Sequence, residues 1–168
     1  MSIVLICANI KIYLSQDREV GISPGSYSGD RWFKSNSCYN YMARTAKPLK
    51  DKSISQLKKL ADDIFSLYIR KRDGRCFTCG SYENLQCGHY IPRDCLELRY
   101  SEKNCHAQCV GCNVFKKGNY TAYSLALMRK YGDDILYEFD EIVKKYKADG
   151  LKKFPKSFYI EIIELYRI

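Results

Sequence analysis

The sequence contains no apolar run long enough to cross a bilayer, no internal repeat and no low-complexity tract. Its apolar start, Met1 to Leu14, is short, is interrupted by Lys11 and lacks the basic segment that opens a signal peptide. These absences argue against a membrane protein and against a repeat protein. We interpret the start either as a buried strand or as an artefact of the assigned first residue.

Histidine is scarce, and acidic residues are outnumbered by basic ones. The 168 residues include two histidines, and 28 Lys and Arg residues stand against 19 Asp and Glu residues, which gives a net charge of +9. A chain this basic favours a polyanionic partner, with nucleic acid first. Many small proteins are basic for no specific reason, so charge alone does not decide the function.

Cysteine is abundant by contrast, and its placement is informative. Of nine cysteines, seven lie between positions 76 and 112, and four form two CxxC pairs, Cys76 with Cys79 and Cys109 with Cys112. An odd total with paired spacing argues against a disulfide framework and for a reduced, metal-binding site, which predicts a cytoplasmic protein. Four thiolates suit tetrahedral zinc and leave no open coordination position, so the zinc would be structural.

The patterning predicts an α+β protein with a small metal-stapled core flanked by helices. Residues 1–45 form an N-terminal extension of unknown role, and residues 46–168 form one domain. Within that domain, residues 75–118 are punctuated by glycine and are expected to hold the metal-bound core. Apolar residues at helical spacing predict four helices: 53–73, 121–131, 133 to about 150, and Pro155 to the end.

Both histidines and two asparagines fall between or beside the cysteine pairs. His89 follows a short alternating stretch, Asn104 lies five residues before Cys109, and Asn113 directly follows Cys112. Hydrolysis of a phosphodiester needs an activated water and a cation that holds the phosphate. A neutral histidine can accept the proton, and an amide oxygen can bind Mg²⁺. We therefore expect His89 and Asn113 to converge on a second, hard cation.

These residues also carry a family resemblance. The order CxxC, then GHY, then an asparagine five residues before a second CxxC followed by Asn resembles the HNH or His-Me finger superfamily. The segment GHYIPRDCLELRYSEKNCHAQCVGCN, followed by KKGN, resembles the NinG/Rap recombination proteins of lambdoid phages. The resemblance spans roughly residues 48–136 and excludes residues 1–45.

The resemblance implies a ββα-metal core and a metal-dependent endonuclease, phage- or prophage-encoded, that cuts branched recombination intermediates such as Holliday junctions and D-loops. By position, His89 would be the general base and Asn104 the residue that orients its ring. Asn113 would bind the catalytic Mg²⁺ or Mn²⁺. The structural zinc would be held by Cys76, Cys79, Cys109 and Cys112.

The second protein ligand of the catalytic ion is left open. Many HNH enzymes place an acidic or histidine ligand directly before the base, where this chain has Gly88. The alternatives are His106, Glu97, Asp94 and Cys87. A hard cation disfavours the thiolate of Cys87, and we favour His106 because it would share a strand face with Asn104 if that segment is extended. The expected DNA-backbone contacts come from four basic residues near the site: Arg93, Arg99, Lys116 and Lys117.

Two other functions compete with a nuclease for branched DNA. One is a sequence-specific HNH nuclease, which would need a recognition module, and the other is a non-catalytic zinc module that binds nucleic acid. Symmetric cutting of a four-way junction needs two active sites, so a homodimer is also expected if junctions are resolved in pairs of cuts.

Overall fold

A computed structural model describes residues 48–150 and 153–167 of the chain. The N-terminal extension of residues 1–45 lies outside this range, so its prediction stays open. Within the described residues the secondary structure is four α-helices, one two-stranded antiparallel sheet and two short helical turns. The prediction of an α+β protein is confirmed.

Helix α1 spans Ile54–Asp73 and begins and ends where local signals predict. The hydroxyl of Ser53 accepts a hydrogen bond from the backbone of Gln56, and the Gln56 side chain accepts one from the Ser53 backbone. This reciprocal pair satisfies two backbone donors that would otherwise lack partners. Gly74 ends the helix in the left-handed conformation, with φ of 65°, which glycine adopts at little cost.

The sheet consists of β1, Leu85–His89, and β2, Cys105–Cys109, with His89 opposite Cys105 and Leu85 opposite Cys109. Side chains alternate between the two faces of a strand, and directly paired residues share a face. Cys87, His89 and Cys105 therefore lie on one face. Gly88, His106 and Gln108 lie on the other.

A π-helical turn, Gly111–Phe115, follows β2 directly. After this turn, Lys117 and Asn119 both have φ of 48°, and Gly118 between them has φ of 92°. Successive left-handed residues cannot continue a right-handed helix. Helix α2 consequently begins only at Tyr120 and spans Tyr120–Tyr131.

Helices α3, Ile135–Ala148, and α4, Lys156–Tyr166, complete the described fold. Two apolar cores result. In one, α1 and α4 pack with the sheet face that carries Cys87 and Cys105. In the other, α2 and α3 pack with Cys95 and Leu98 of the loop between the strands. Among the described residues, no helix is both long and apolar enough to cross a membrane.

Candidate functional site

The two CxxC pairs converge at the end of the hairpin. The Sγ atoms of Cys76, Cys79, Cys109 and Cys112 all lie within 4.8 Å of one another. The Sγ atoms of Cys79 and Cys109 are 3.6 Å apart. Four sulfurs bound tetrahedrally at about 2.3 Å from zinc would be separated by about 3.8 Å. The four thiols could therefore hold a metal ion such as zinc, as the spacing predicts.

The electrostatics of this cluster also suit a cation. Burial raises the pKa of Cys76, but hydrogen bonds from Thr78 and from nearby backbone groups outweigh burial and lower that pKa to about 6. The backbone of Ser81 lowers the pKa of Cys79, yet burial and the three neighbouring sulfurs together raise it to about 12. Four sulfurs this close cannot all ionise unless a positive ion neutralises them.

His89 ends β1 and is fixed by the loop between the strands. Its Nε2 lies 3.0 Å from the backbone oxygen of Arg99. A carbonyl oxygen only accepts, so Nε2 carries the proton and the lone pair is on Nδ1. Burial, together with the charges of Arg93 and Arg99, lowers the pKa of His89 to about 4. The ring is therefore neutral at physiological pH, which is the form that accepts a proton.

Asn104 does not touch the ring of His89, so its predicted direct role in orienting that ring requires a correction. Its Oδ1 accepts a hydrogen bond from the backbone of Ile91 at 2.7 Å, and its Nδ2 donates to the carbonyl oxygens of Ile91 and Leu98 at 3.0 Å each. Asn104 is fully buried. It holds the loop of residues 90–104 in shape, and that loop in turn presents the Arg99 carbonyl to His89.

His106 is buried with both ring nitrogens occupied. Its Nδ1 lies 2.9 Å from a guanidinium nitrogen of Arg72 and 3.2 Å from a carboxylate oxygen of Asp73, and its Nε2 lies 3.2 Å from the hydroxyl of Tyr131. Its ring stacks on Phe77 with centroids 3.8 Å apart. Neither nitrogen is available to a cation, so the geometry favours a structural role for His106 over the ion-binding role that we favoured from the sequence.

Asn113, in the π-helical turn, contacts β1 at Gln86 rather than at His89. Its Nδ2 donates to the Oε1 of Gln86 at 2.7 Å. Gln86 and His89 are three positions apart on one strand, so their side chains leave from opposite faces. The structure thus brings Asn113 to the sheet but not to the imidazole. Sequence reasoning missed Gln86, because a lone glutamine two residues before the GHY segment carries no motif signal.

The position directly before His89 cannot take a side chain without rearrangement. A Cβ atom added to Gly88 would lie 2.9 Å from both Cγ and Cδ of Gln108, and closer still to Oε1. Gln108 is fully buried, and its Nε2 donates to the backbone of Gly118 at 2.8 Å. In this chain Gln108 therefore fills the space beside Gly88 that a side chain at that position, where many HNH enzymes have an ion ligand, would need.

The four basic residues predicted to contact DNA divide into two kinds. Arg99 is only 7% exposed, and its guanidinium pairs with both carboxylate oxygens of Asp62 and donates to the Arg93 backbone. The buried ion pair occupies the guanidinium and argues against the predicted contact with DNA, which stays a prediction. Arg93, Lys116 and Lys117 are exposed and remain available.

The described fold is thus an α+β domain built around a hairpin with a four-cysteine cluster at one end. A sequence model for the family described as "Bacteriophage Lambda NinG protein" matches residues 34–167. The match extends well beyond the resemblance at residues 48–136, since it includes α3 and α4 and begins before the described residues. This chain belongs to the NinG family.

Curated relatives agree with this assignment. The chain is 34% identical over 87 residues to protein ninG of Escherichia phage lambda and to that of Escherichia phage 933W, covering 49% of this chain and 43% of each relative. It is 33% identical over 94 residues to protein ninG of Salmonella phage P22, covering 53% and 46%. The chain therefore spans less than half the length of these relatives. No solved structure matches the chain.

Proposed function

We propose that this protein is a metal-dependent DNA endonuclease that acts on branched recombination intermediates in the cytoplasm of the bacterium that a phage infects. The observation that carries the proposal is the state of His89. The Arg99 carbonyl fixes the tautomer, and burial keeps the ring neutral, so that Nδ1 can serve as a base. The surrounding hairpin is held by the four-cysteine cluster, in an order that resembles the HNH superfamily.

The catalytic ion, Mg²⁺ or Mn²⁺, is proposed to bind at Asn113 and Gln86. Their two carboxamides already meet, and amide oxygens are ligands that hard cations accept. His106 is excluded by its hydrogen bonds, and an acidic residue at position 88 would collide with Gln108. With two protein ligands, the ion would keep several waters and take the phosphate as a further ligand.

The proposed reaction divides the work between the two sites. His89 would take a proton from water, and an ion held at Asn113 and Gln86 would supply positive charge for the phosphate and the leaving oxygen. A zinc ion held by four thiolates would have no open position and would take no part in the chemistry. Because His89 and Gln86 leave β1 on opposite faces, the scissile phosphate would have to lie across the edge of β1 that has no strand partner among the described residues.

DNA binding is proposed to rest on backbone contacts from Arg93, Lys116 and Lys117, all of which are exposed. Such contacts read charge and shape rather than base sequence, which suits an enzyme selective for branched DNA. Two cuts in one four-way junction would require a homodimer.

A second function is favoured by one specific observation. Asn113 is hydrogen bonded to Gln86, on the face of β1 opposite to His89, and His89 is partly buried. If neither group moves when DNA binds, the protein would be a non-catalytic zinc module that binds nucleic acid.

Cleavage assays on synthetic four-way junctions, D-loops and linear duplexes separate the two functions. The nuclease proposal expects cleavage of the branched substrates with Mg²⁺ or Mn²⁺, none with EDTA, and a large loss of cleavage in the Asn113→Ala variant. Binding to branched DNA should survive that substitution. Binding without cleavage in any divalent metal would instead establish the non-catalytic module.

A further inference from the structure

A second group of metal-ligating side chains lies on the hairpin, separate from the four-cysteine cluster. One ligand atom each from Cys87, His89 and Cys105 lies within 4.8 Å of the other two. Cys87 and His89 are two positions apart on β1, and Cys105 is paired with His89 on β2. All three therefore project from the same face. Cys105 is four residues from Cys109, so about 13 Å of strand separates the two groups.

The surroundings of this second group suit a soft divalent ion. Cys105 is fully buried and Cys87 is 5% exposed, in the core between the hairpin and α1. The complex of a divalent ion with two thiolates and a neutral imidazole has no net charge, which lowers the free-energy cost of burying the ion. The Arg99 carbonyl oxygen lies 3.0 Å from His89 Nε2 and 3.5 Å from Cys105 Sγ, and so offers a further polar atom beside the group.

We propose that Cys87, His89 and Cys105 form a second metal site, selective for Zn²⁺ and similar soft ions over Mg²⁺. Two sulfurs and one imidazole nitrogen are ligands that Zn²⁺ accepts and that Mg²⁺ disfavours. Both thiols release protons when the ion binds. The protein then carries two zinc sites of different construction: four thiolates at the end of the hairpin, and two thiolates with His89 on its buried face.

The consequence for cleavage rests on the proposed nuclease function. An ion on His89 occupies the imidazole that would serve as the base. Zinc beyond the first ion therefore inhibits cleavage, and the same side chain is either a base or a ligand. The metal site itself does not depend on the protein being a nuclease.

The test is a titration of the full chain, freed of metal under reducing conditions, with Co²⁺ followed by sulfur-to-cobalt absorption and with Zn²⁺ followed by calorimetry. Wild type is expected to bind two ions, and the double variant Cys87→Ala, Cys105→Ala only one. Cys95→Ala is the matched control, because Cys95 is also buried but belongs to the other core. It should bind two.

Binding of a single ion by wild type, or of two by the double variant, would overturn the second site. If the double variant fails to fold, Cys87→Ser replaces it, with a decrease of at least tenfold in affinity for the second ion as the expected result. Cleavage assays provide the separate arm. Loss of inhibition by excess Zn²⁺ in Cys87→Ser supports the link to His89, whereas absence of cleavage in every metal refutes the nuclease and leaves the binding result standing.

Discussion

Replacement of Gly88 by alanine tests how tightly the hairpin is packed beside the candidate base. Gly88 is buried, and its backbone oxygen accepts a hydrogen bond from Tyr123 at 3.1 Å. The new methyl group would meet the Gln108 side chain at no more than 2.9 Å, well inside normal contact. Gln108 cannot swing away freely, because its amide is held by the Gly118 carbonyl.

The expected cost follows from overpacking a filled core, which is typically about 1–3 kcal/mol. The variant Gln108→Ala is also expected to lose about 1–3 kcal/mol, since it leaves the buried Gly118 carbonyl without its partner. In the double variant the methyl group has room. The double variant should therefore lose less free energy of unfolding than the two single variants lose together, by about 1 kcal/mol or more.

Urea unfolding at saturating zinc measures these free energies of unfolding, since the fixed metal concentration keeps its contribution constant. Additive losses, within about 0.5 kcal/mol, would show that Gln108 does not fill the space beside Gly88. The argument that this face excludes an ion ligand at position 88 would then fail.

Three further predictions follow from the same structure. Asp73→Asn should lower the free energy of unfolding by about 2–3 kcal/mol at neutral pH. Burial alone would raise the pKa of Asp73, but hydrogen bonds from His106, Arg72 and the Ala107 backbone lower it well below the usual range. The stability that these bonds provide is therefore complete above the ordinary pKa of 3.8 and is lost as the pH falls further. If the free energy of unfolding decreases in parallel in wild type and Asp73→Asn as the pH is lowered, the prediction is contradicted. Cys109→Ser should lower zinc content and unfold residues 75–118 in hydrogen exchange, and a stable, zinc-replete variant would refute that ligand. The double variant Lys116→Ala, Lys117→Ala should bind the junction more weakly, and its slope of log affinity against log salt should be smaller by about 2. The control double variant Lys58→Ala, Lys59→Ala, on α1, should keep the wild-type slope. If the two double variants have equal slopes, Lys116 and Lys117 do not belong to the interface.

Local signals in the sequence predicted the helices well. The bounds of α1 follow from Ser53, Gln56 and Gly74, which act on backbone groups only a few residues away. The helical spacing of Tyr159, Ile162, Ile163 and Tyr166 predicts one inward face on α4, and all four residues are buried. The same spacing would place Ile54 on the inner face of α1, but its side chain is 46% exposed.

Long-range contacts account for what the sequence did not predict. Arg99 lies 37 residues from Asp62, and His106 lies 33 residues from Asp73, and no local pattern links either pair. The position of Arg99 inside the motif therefore suggested DNA binding, although its charge is paired with the carboxylate of Asp62, which is distant in the sequence. The cysteine cluster was predictable although Cys79 and Cys109 are 30 positions apart, because paired thiols at CxxC spacing have few roles other than metal binding in a reduced protein.

The most direct test of the proposed chemistry is the single-turnover rate of four-way junction cleavage in Mg²⁺ by wild type and His89→Ala, at matched zinc content and saturating protein. Cys87→Ala is the control, because it alters the same face of β1 without removing the base. We predict that His89→Ala cleaves about 10²- to 10⁴-fold more slowly while it binds the junction normally, and that Cys87→Ala cleaves like wild type. Cleavage by His89→Ala at the wild-type rate would contradict the assignment of His89 as the general base.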